Sequence, residues 1–419
     1  MERHPRYLSR LALGAAGVMV MAACGSSSKK STAAGGTTGT TAAAKYPPIP
    51  AGPIKFGVST PLTGATAAFG TATKAAFENV TLKTFNAAHP DGIDGHQVQI
   101  EILDDASDVT KAVNVANQFV SEKITAVLTA TYNPAAAPQQ LAIFGKAKIP
   151  ALVQAVSDDY TDTSKWPYFF GMGSSDKQAG EAAAKYIGKH SEIKKISILS
   201  DGSPSQVEIQ NDMMTALKTS APSVTVAKTA TITPGAVDVS TAVAQLKDSN
   251  PDLLIVFAGF GYGPIWQGIQ GANWSPKILT VASAFYDGFS AMGPLADSAV
   301  VITTHCTTPG HPPFPKALTD PMDGYATVFG TTSTNYILFD TSDNGPLELL
   351  KLAIEKNHST DPDAIKSALE SLGDQKLFGT VDYNFTPTNH FGLTGDYGTA
   401  VCKMSGFSDG PYRIPVVAP

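Results

Sequence analysis

The chain has 419 residues, of which 43% are hydrophobic and 16% charged, and its formal net charge is −6. This length predicts more than one domain, and the hydrophobic fraction is enough for a large core, which excludes an intrinsically disordered protein. The acidic balance argues against nucleic-acid binding, because a net negative chain does not attract a phosphate backbone. Three cysteines are too few for a disulfide-rich scaffold or a four-cysteine zinc site.

The first 24 residues have the pattern of a bacterial export signal. Three arginines within the first ten residues precede an apolar run from Leu11 to Ala23, which Cys24 follows. The run is too short to cross a bilayer as a helix and is typical of a secretory signal peptide. Its end, Met21-Ala22-Ala23-Cys24, resembles a bacterial lipobox. We predict a lipoprotein signal peptide at 1–23 and a lipid on Cys24; an ordinary signal peptide with a chance cysteine is the alternative.

Residues 24–50 are rich in glycine, serine, threonine, alanine and lysine, and the segment closes with Pro47, Pro48 and Pro50. Such a segment buries little apolar surface and predicts a flexible tether. A lipid, a tether and a folded body together predict a protein held at the outer face of the cell membrane.

From Pro53 onwards, short apolar runs alternate with amphipathic stretches, which is typical of βαβ units. The first half predicts strands at 54–59, 98–103, 125–128, 151–153 and 168–171. It also predicts helices at 67–88, at 133–147 and after Asp108, which has the position of an N-cap.

The second half repeats this alternation. Its predicted strands are 195–199, 224–231, 253–258, 278–281 and 299–304. Its predicted helices are 178–190, 206–219, one that Asp238 caps, 346–356 and 361–372. The run Leu253–Ala258 is apolar throughout, as expected for a strand buried on both faces of a parallel sheet. Two successive α/β halves predict two lobes with a ligand cleft at the carboxyl ends of their strands.

Several short motifs occur in an order that resembles a known family. The run Phe56-Gly57-Val58-Ser59-Thr60-Pro61-Leu62-Thr63-Gly64 is followed by Asp104-Asp105-Ala106 and, near the end, by Gly379-Thr380-Val381-Asp382-Tyr383. Together they resemble leucine/isoleucine/valine-type periplasmic binding proteins over about residues 53–415.

The resemblance implies an α/β protein with the type I periplasmic binding protein fold, in which a hinge of three segments joins two Rossmann-like, doubly wound lobes. It places lobe 1 at 51–172 and 304–383, and lobe 2 at 173–303 and 384–419.

The resemblance also implies ligand-binding positions in lobe 1. Family members carry paired serines after the third strand for a ligand carboxylate, where this chain has Tyr132 and Asn133; an N-cap is the alternative role for Asn133. Ala155 and Ser157 match the next binding loop, although Ser157 is equally well explained as an ordinary loop residue. Phe69, after the first strand, is a further candidate.

In lobe 2 the resemblance makes Tyr262 the best single candidate for a ligand contact, with packing on its own helix as the alternative. Amino-acid binders carry a glutamate for the ligand ammonium group, and Asp287 is the nearest carboxylate here, offset by several residues. Aromatic residues at the candidate positions, with Phe285 and Tyr286, also suit a larger or aromatic solute. The fold is therefore better specified than the solute.

Cys306 and Cys402 are candidates for a disulfide, with two buried thiols as the alternative, since both would lie outside the cytoplasm. His305, Cys306 and His311 lie close in sequence but lack a second ligand pair, so a loop is the better interpretation and we predict no metal. The chain has none of the motifs of a serine hydrolase, a P-loop or a zinc protease, and we predict no enzyme and no cofactor.

By resemblance, the chain is an extracytoplasmic, lipid-anchored, monomeric substrate-binding protein of an ABC importer. It would capture a small solute, an amino acid or amide by family default, and deliver it to a membrane permease. A sensory receptor ectodomain of the same fold is the first alternative. An extracytoplasmic amide or ester hydrolase is the second.

Overall fold

The described part of the chain alternates strands and helices in two α/β lobes. The computed structural model describes residues 45–64, 67–131, 133, 135–259, 261–284, 289–303, 345–377, 381–394, 400–404 and 416–417. Within these ranges, no helix combines the length and the apolar character needed to cross a membrane.

Strands and helices are numbered in chain order. The strands are β1 (Ile54–Thr60), β2 (Val98–Asp104), β3 (Ala126–Thr129), β4 (Ala151–Val153), β5 (Phe169–Gly171), β6 (Lys195–Ser200), β7 (Thr225–Thr231), β8 (Leu253–Phe257), β9 (Ile278–Val281), β10 (Ala299–Thr303), β11 (Gln375–Leu377), β12 (Val381–Tyr383), β13 (Leu393–Thr394), β14 (Ala400–Lys403) and β15 (Val416–Val417). The helices are α1 (Ala67–Ala76), α2 (Leu82–Ala88), α3 (Val109–Ser121), α4 (Ala137–Ala147), α5 (Asp176–Lys189), α6 (Pro204–Ser220), α7 (Ser240–Asp248), α8 (Tyr262–Gly271), α9 (Phe289–Met292), α10 (Gly345–Asn357) and α11 (Pro362–Leu369).

Lobe 1 is built on a parallel sheet with the strand order β2-β1-β3-β4-β5. The helix predicted at 67–88 is present, but a π-helical turn at Phe77–Thr81 separates α1 from α2. Such a turn takes up an extra residue and rotates the helical face that follows it. Asp108 caps α3 as predicted, because its carboxylate accepts the Lys111 N–H at 2.8 Å.

Lobe 2 is built on a sheet with the order β15-β14-β10-β9-β8-β6-β7, in which β14 is antiparallel to β10 and to β15. Strand β8 is buried on both faces, as predicted. Leu254 and Val256 pack in the core that contains Trp266, while Ile255 and Phe257 pack in a separate core on the opposite face. A strand with side chains in two cores must be apolar at every position.

The C-terminal helices and a small sheet return to lobe 1. Strands β11, β12 and β13 form an antiparallel sheet, and Leu350 and Ile354 of α10 share the lobe 1 core with Phe56. Phe385 and Leu393 are buried in the same core. We predicted that residues 384–419 belong to lobe 2. The segment 384–394 instead packs in lobe 1, because β13 pairs with β12.

In the order of the described elements, the chain changes lobe three times: from β5 to α5, from β10 to α10 and from β13 to β14. This arrangement agrees with the predicted three-segment hinge. Near the start of the described residues, the Ser359 hydroxyl donates to the Pro47 carbonyl, and Ile49 packs against the lobe 1 core. The last residues of the predicted tether, from Pro47 onwards, therefore belong to the folded body.

Candidate functional site

A buried polar network holds the loops together at the carboxyl end of the lobe 1 sheet. The Ser59 hydroxyl donates to Asp105 Oδ2 at 3.0 Å, and Gln140 Nε2 donates to Ser59 Oγ at 2.9 Å. Gln140 Oε1 accepts the Thr131 N–H at 2.9 Å. Burial raises the pKa of Asp105, although hydrogen bonds from Ser107 and Ser59 act in the opposite direction. The network fixes the ends of β1, β2 and β3 relative to one another.

Asp104 holds the loop after β1. Its carboxylate accepts the N–H groups of Leu62 at 2.8 Å and Thr63 at 3.1 Å, and the Thr63 hydroxyl at 2.6 Å. Burial acts to raise the pKa of Asp104, but the hydrogen bonds from Thr63, Ala106 and Leu62 outweigh it and leave the pKa below its ordinary value. Asp104 thus holds the loop after β1, whereas the adjacent Asp105 bonds to Ser59 inside the buried network. Adjacent residues on a strand point to opposite faces, which explains the difference.

Asn133 ties two binding loops of lobe 1 to each other. Its Nδ2 donates to the Ser107 carbonyl at 2.8 Å, and its Oδ1 accepts the Ala135 N–H at 2.9 Å. It is not the N-cap of α4, since that helix begins at Ala137 after Ala136. One of the two N–H groups of the side-chain amide holds the loop after β2, so the predicted role of Asn133 as an anion donor falls to the other.

Lobe 2 has a comparable brace at the end of β6. Asp201 is buried, and its carboxylate accepts the Ser203 N–H at 2.9 Å, the Ser203 hydroxyl at 2.6 Å and the Gly259 N–H at 2.7 Å. This places one carboxylate between the loops that follow β6 and β8. Both lobes therefore present loops that are fixed before any ligand arrives.

Tyr262 lies in the core of lobe 2, which differs from its predicted position in the cleft. It has no exposed surface, and its ring stacks on Trp266 with 5.3 Å between centroids. Its hydroxyl donates to the Ala258 carbonyl at 2.8 Å and accepts from Thr280 Oγ1 at 3.2 Å. These contacts are those of the alternative, a tyrosine that packs within its own lobe.

The loop after β4 contacts lobe 2 through Ser157 and Asp158. The Ser157 hydroxyl donates to Glu208 Oε1 at 3.2 Å, and the Asp158 N–H donates to Glu208 Oε2 at 3.1 Å. The Lys177 N–H, at the start of α5, donates to Asp158 Oδ1 at 2.9 Å. Ser157 also caps the short helical turn Asp158–Thr161. Its predicted contact with a ligand stays a prediction.

Four carboxylates meet at this contact, and we call them the junction carboxylates: Asp158 from lobe 1 and Asp176, Glu208 and Asp212 from lobe 2. Burial raises the pKa of Asp176 to about 8, and the nearby carboxylates of Glu208 and Asp158 act in the same direction. Burial and a hydrogen bond with Asp158 raise the pKa of Asp212 to about 6. No local sequence pattern singles out any of the four, since their proximity depends on how α5, α6 and the loop after β4 pack.

A cavity of about 440 Å³ lies at the opposite end of the lobe 1 sheet. It is bordered by Pro53, Lys55, Lys123, Ile149 and Pro362, which surround the amino ends of β1 and β3. Ligands of parallel α/β sheets bind at the carboxyl ends of the strands. We therefore do not assign this cavity to the solute.

The remaining predicted positions are placed only in part. Phe69 lies in α1, and Ala155 is half-buried in the loop after β4. Tyr132, Asp287, Cys24 and Cys306 lie outside the described residues, as do His305 and His311. Cys402 is buried and disulfide-bonded, and its pairing with Cys306 stays a prediction. In the part of the chain that is described, no group of histidine, cysteine and carboxylate side chains could hold a metal ion.

Comparison with known proteins identifies the family. A family profile described as periplasmic binding protein matches residues 53–404, which is most of the chain. The chain belongs to the periplasmic binding protein family. Its two-lobed α/β architecture with parallel sheets confirms the predicted fold class, type I, for this periplasmic binding protein.

Two curated relatives show how far the likeness extends. This periplasmic binding protein is 25% identical over 365 residues to Leu/Ile/Val-binding protein homolog 3 of Brucella melitensis, an alignment that covers 85% of this chain and 92% of the relative. It is 28% identical over 148 residues to Leu/Ile/Val-binding protein homolog 1 of Brucella abortus, which covers 35% of this chain and only 39% of that relative.

Solved structures with different ligands share the fold. A solute binding protein of an ABC transporter from Rhodopseudomonas palustris, in complex with 3,4-dihydroxybenzoic acid, has a TM-score of 0.71 at 17% identity and covers 87% of this chain and 96% of its own. The branched-chain amino acid transporter substrate binding protein LivJ of Streptococcus pneumoniae, in complex with isoleucine, has a TM-score of 0.64 at 18% identity and covers 84% and 99%. At these identities the likeness establishes the fold.

Proposed function

We propose that this protein is an extracytoplasmic, lipid-anchored solute-binding protein that captures a small carboxylate-bearing solute between its lobes and delivers it to an ABC permease. The observation that carries the proposal is the pair of mainly parallel sheets, between which the described elements change lobe three times, with the loops at the carboxyl strand ends braced by Asp105 and Asp201. A braced loop loses little conformational entropy when a ligand binds, which favours affinity.

The solute class rests on chemistry shared by the relatives. Leucine, isoleucine and valine, in the names of the curated relatives, and 3,4-dihydroxybenzoic acid, in the structural neighbour, all carry a carboxylate. Free N–H groups at loops and helix N-termini favour such an anion. An amino acid additionally needs a partner for its ammonium group. Asp287 is the residue that we propose for that role.

The experiment is a thermal-shift screen of the purified protein after unfolding and refolding, which removes any solute carried through purification. The panel contains L-isoleucine, L-leucine, benzoate, 3,4-dihydroxybenzoate and urea, with isoamylamine and benzyl alcohol as matched compounds that lack the carboxylate. A ligand at a hundred times its Kd stabilises the folded state by about 2.7 kcal/mol. We expect a concentration-dependent rise in melting temperature with at least one carboxylate and none with its matched compound.

The outcomes separate the candidates. A rise in melting temperature with amino acids supports an amino-acid solute and makes Asp287 the next residue to substitute. A rise only with aromatic acids supports a carboxylate solute that has no ammonium group. A response to urea alone would exclude the carboxylate class. No response across the panel would favour a receptor ectodomain, and consumption of a ligand during the assay would reveal a hydrolase.

A further inference from the structure

The junction carboxylates carry more negative charge than their surroundings neutralise. Among the described residues, Lys177 is the cation that acts on Asp212. The neutral donors include the Ser157 hydroxyl and the Asp158 N–H on Glu208, the Lys177 N–H on Asp158, and the Ser205 hydroxyl on Asp176 Oδ1 at 2.8 Å. Tyr160 and Asp159 lie on the same loop, and Lys165 neutralises Asp159 with an ion pair at 2.6 Å. If all four junction carboxylates were ionised, one ammonium group would face four negative charges.

The carboxylate of Asp176 is buried in a way that favours its protonated form. Its side chain is 2% exposed, and among the described residues its Oδ2 has no hydrogen-bond partner. Glu208 lies close enough to share a hydrogen bond with Asp176. Two ionised carboxylates cannot bond to each other, since neither holds a proton to donate. One proton on the pair converts an unpaired buried oxygen into a donor and removes one charge.

The same cluster spans both lobes, which links the proton to their arrangement. Asp158 comes from lobe 1, and its carboxylate acts to raise the pKa of both Asp176 and Asp212 on lobe 2. Moving the lobes apart would remove the Asp158 carboxylate and let water reach the lobe 2 members. Both changes make ionisation easier.

We propose that the junction carboxylates form a proton-dependent latch, in which docking of the loop after β4 onto α5 and α6 takes up at least one proton that undocking releases to solvent. The docked arrangement is then favoured at low pH and weakens as the pH rises through the range in which Asp212 and Asp176 ionise, about 6 to about 8. Each proton taken up shifts the docking equilibrium by at most about tenfold per pH unit.

Small-angle X-ray scattering of the purified, solute-free protein at pH 5 and pH 8.5 tests the latch. We expect a smaller radius of gyration at pH 5. The decisive variant is Asp158→Asn, because an amide oxygen can still accept the Lys177 N–H while the charge is gone. This variant should remain compact at both pH values. Asp159→Asn, next to it but outside the junction, should behave like the unmodified protein.

Two results would overturn the proposal: a radius of gyration that is the same at both pH values in the unmodified protein, or an Asp158→Asn variant that keeps the full pH dependence. Glu208→Gln is a second neutral variant, with the same expected result as Asp158→Asn, in case either substitution impairs folding. Because the measurement uses no solute, its result does not depend on whether the proposed transport function is correct.

Discussion

At the scale of single residues, Tyr262 is held by its own lobe. Burial raises the pKa of its phenol to about 12, and the hydroxyl connects the Ala258 carbonyl with Thr280. Each hydrogen bond lost with this hydroxyl costs about 0.5–1.5 kcal/mol, since the Ala258 carbonyl and Thr280 keep other partners in Ser283 and Val256. The loss should appear in folding stability, because Tyr262 has no exposed surface with which to meet a solute.

We therefore expect Tyr262→Phe to lower the free energy of unfolding by about 1–2 kcal/mol. The affinity for whichever solute the thermal screen identifies should change less than twofold. Urea unfolding and titration calorimetry give the two quantities. Tyr186→Phe, at a partly exposed tyrosine of α5, is the matched control, with an expected loss below about 0.5 kcal/mol. If Tyr262→Phe instead lowered the affinity tenfold at unchanged stability, Tyr262 would be a ligand-binding residue.

At the scale of elements, α5 and α6 pack closely because α5 presents small residues to its neighbour. Gly180, Ala183 and Ala184 are buried on this face. A Cβ atom at Gly180 would lie 2.7 Å from the Ile209 carbonyl oxygen and 2.7 Å from the Met213 nitrogen. Both atoms belong to the backbone, so the helix itself would have to move.

Gly180→Ala should accordingly destabilise the protein by about 1–3 kcal/mol through overpacking. Gly145→Ala makes the same chemical change in α4, where a Cβ atom meets nothing within 4 Å, and should stabilise by about 0.5–1 kcal/mol. The two midpoints of urea unfolding, followed by circular dichroism, test this contrast. Equal shifts in the same direction would show that glycine propensity, and not helix separation, controls both sites.

At the scale of the whole molecule, the predicted lipid on Cys24 would connect the folded body to the membrane. The body is one compact unit from Lys45 onwards. Attachment therefore depends on the segment before it, and the lobes should fold whether or not the lipid is present.

Cys24→Ser should move the protein from the detergent phase to the aqueous phase in a Triton X-114 partition of whole cells, with the melting temperature of the body unchanged. Ser26→Ala, two residues further on, is the control and should stay in the detergent phase. If Cys24→Ser also stayed there, the ordinary signal peptide or another mode of attachment would replace the lipoprotein hypothesis.

Much of the fold could be predicted from the sequence, because local pattern determines it. Strand β9 lies where the apolar run 278–281 predicts it, and β8 is buried on both faces as its composition requires. The roles of Tyr262 and Glu208 could not be predicted in this way. Whether a tyrosine points into a cleft or a core, and whether a glutamate meets a loop of the other lobe, depends on tertiary packing that leaves no local pattern.

Lobe 1 is built from two separate segments of the chain, so it completes its fold late. Phe56 of β1 shares its core with Leu350 of α10 and Leu393 of β13, whereas β6 to β10 of lobe 2 come from one continuous segment. Closing a long loop is entropically unfavourable and slows folding. A chain that emerges from its amino end thus offers the five parallel strands of lobe 2, β6 to β10, before the last parts of lobe 1 exist. Until then, the core around Phe56 is incomplete, and apolar surface exposed in this way favours aggregation.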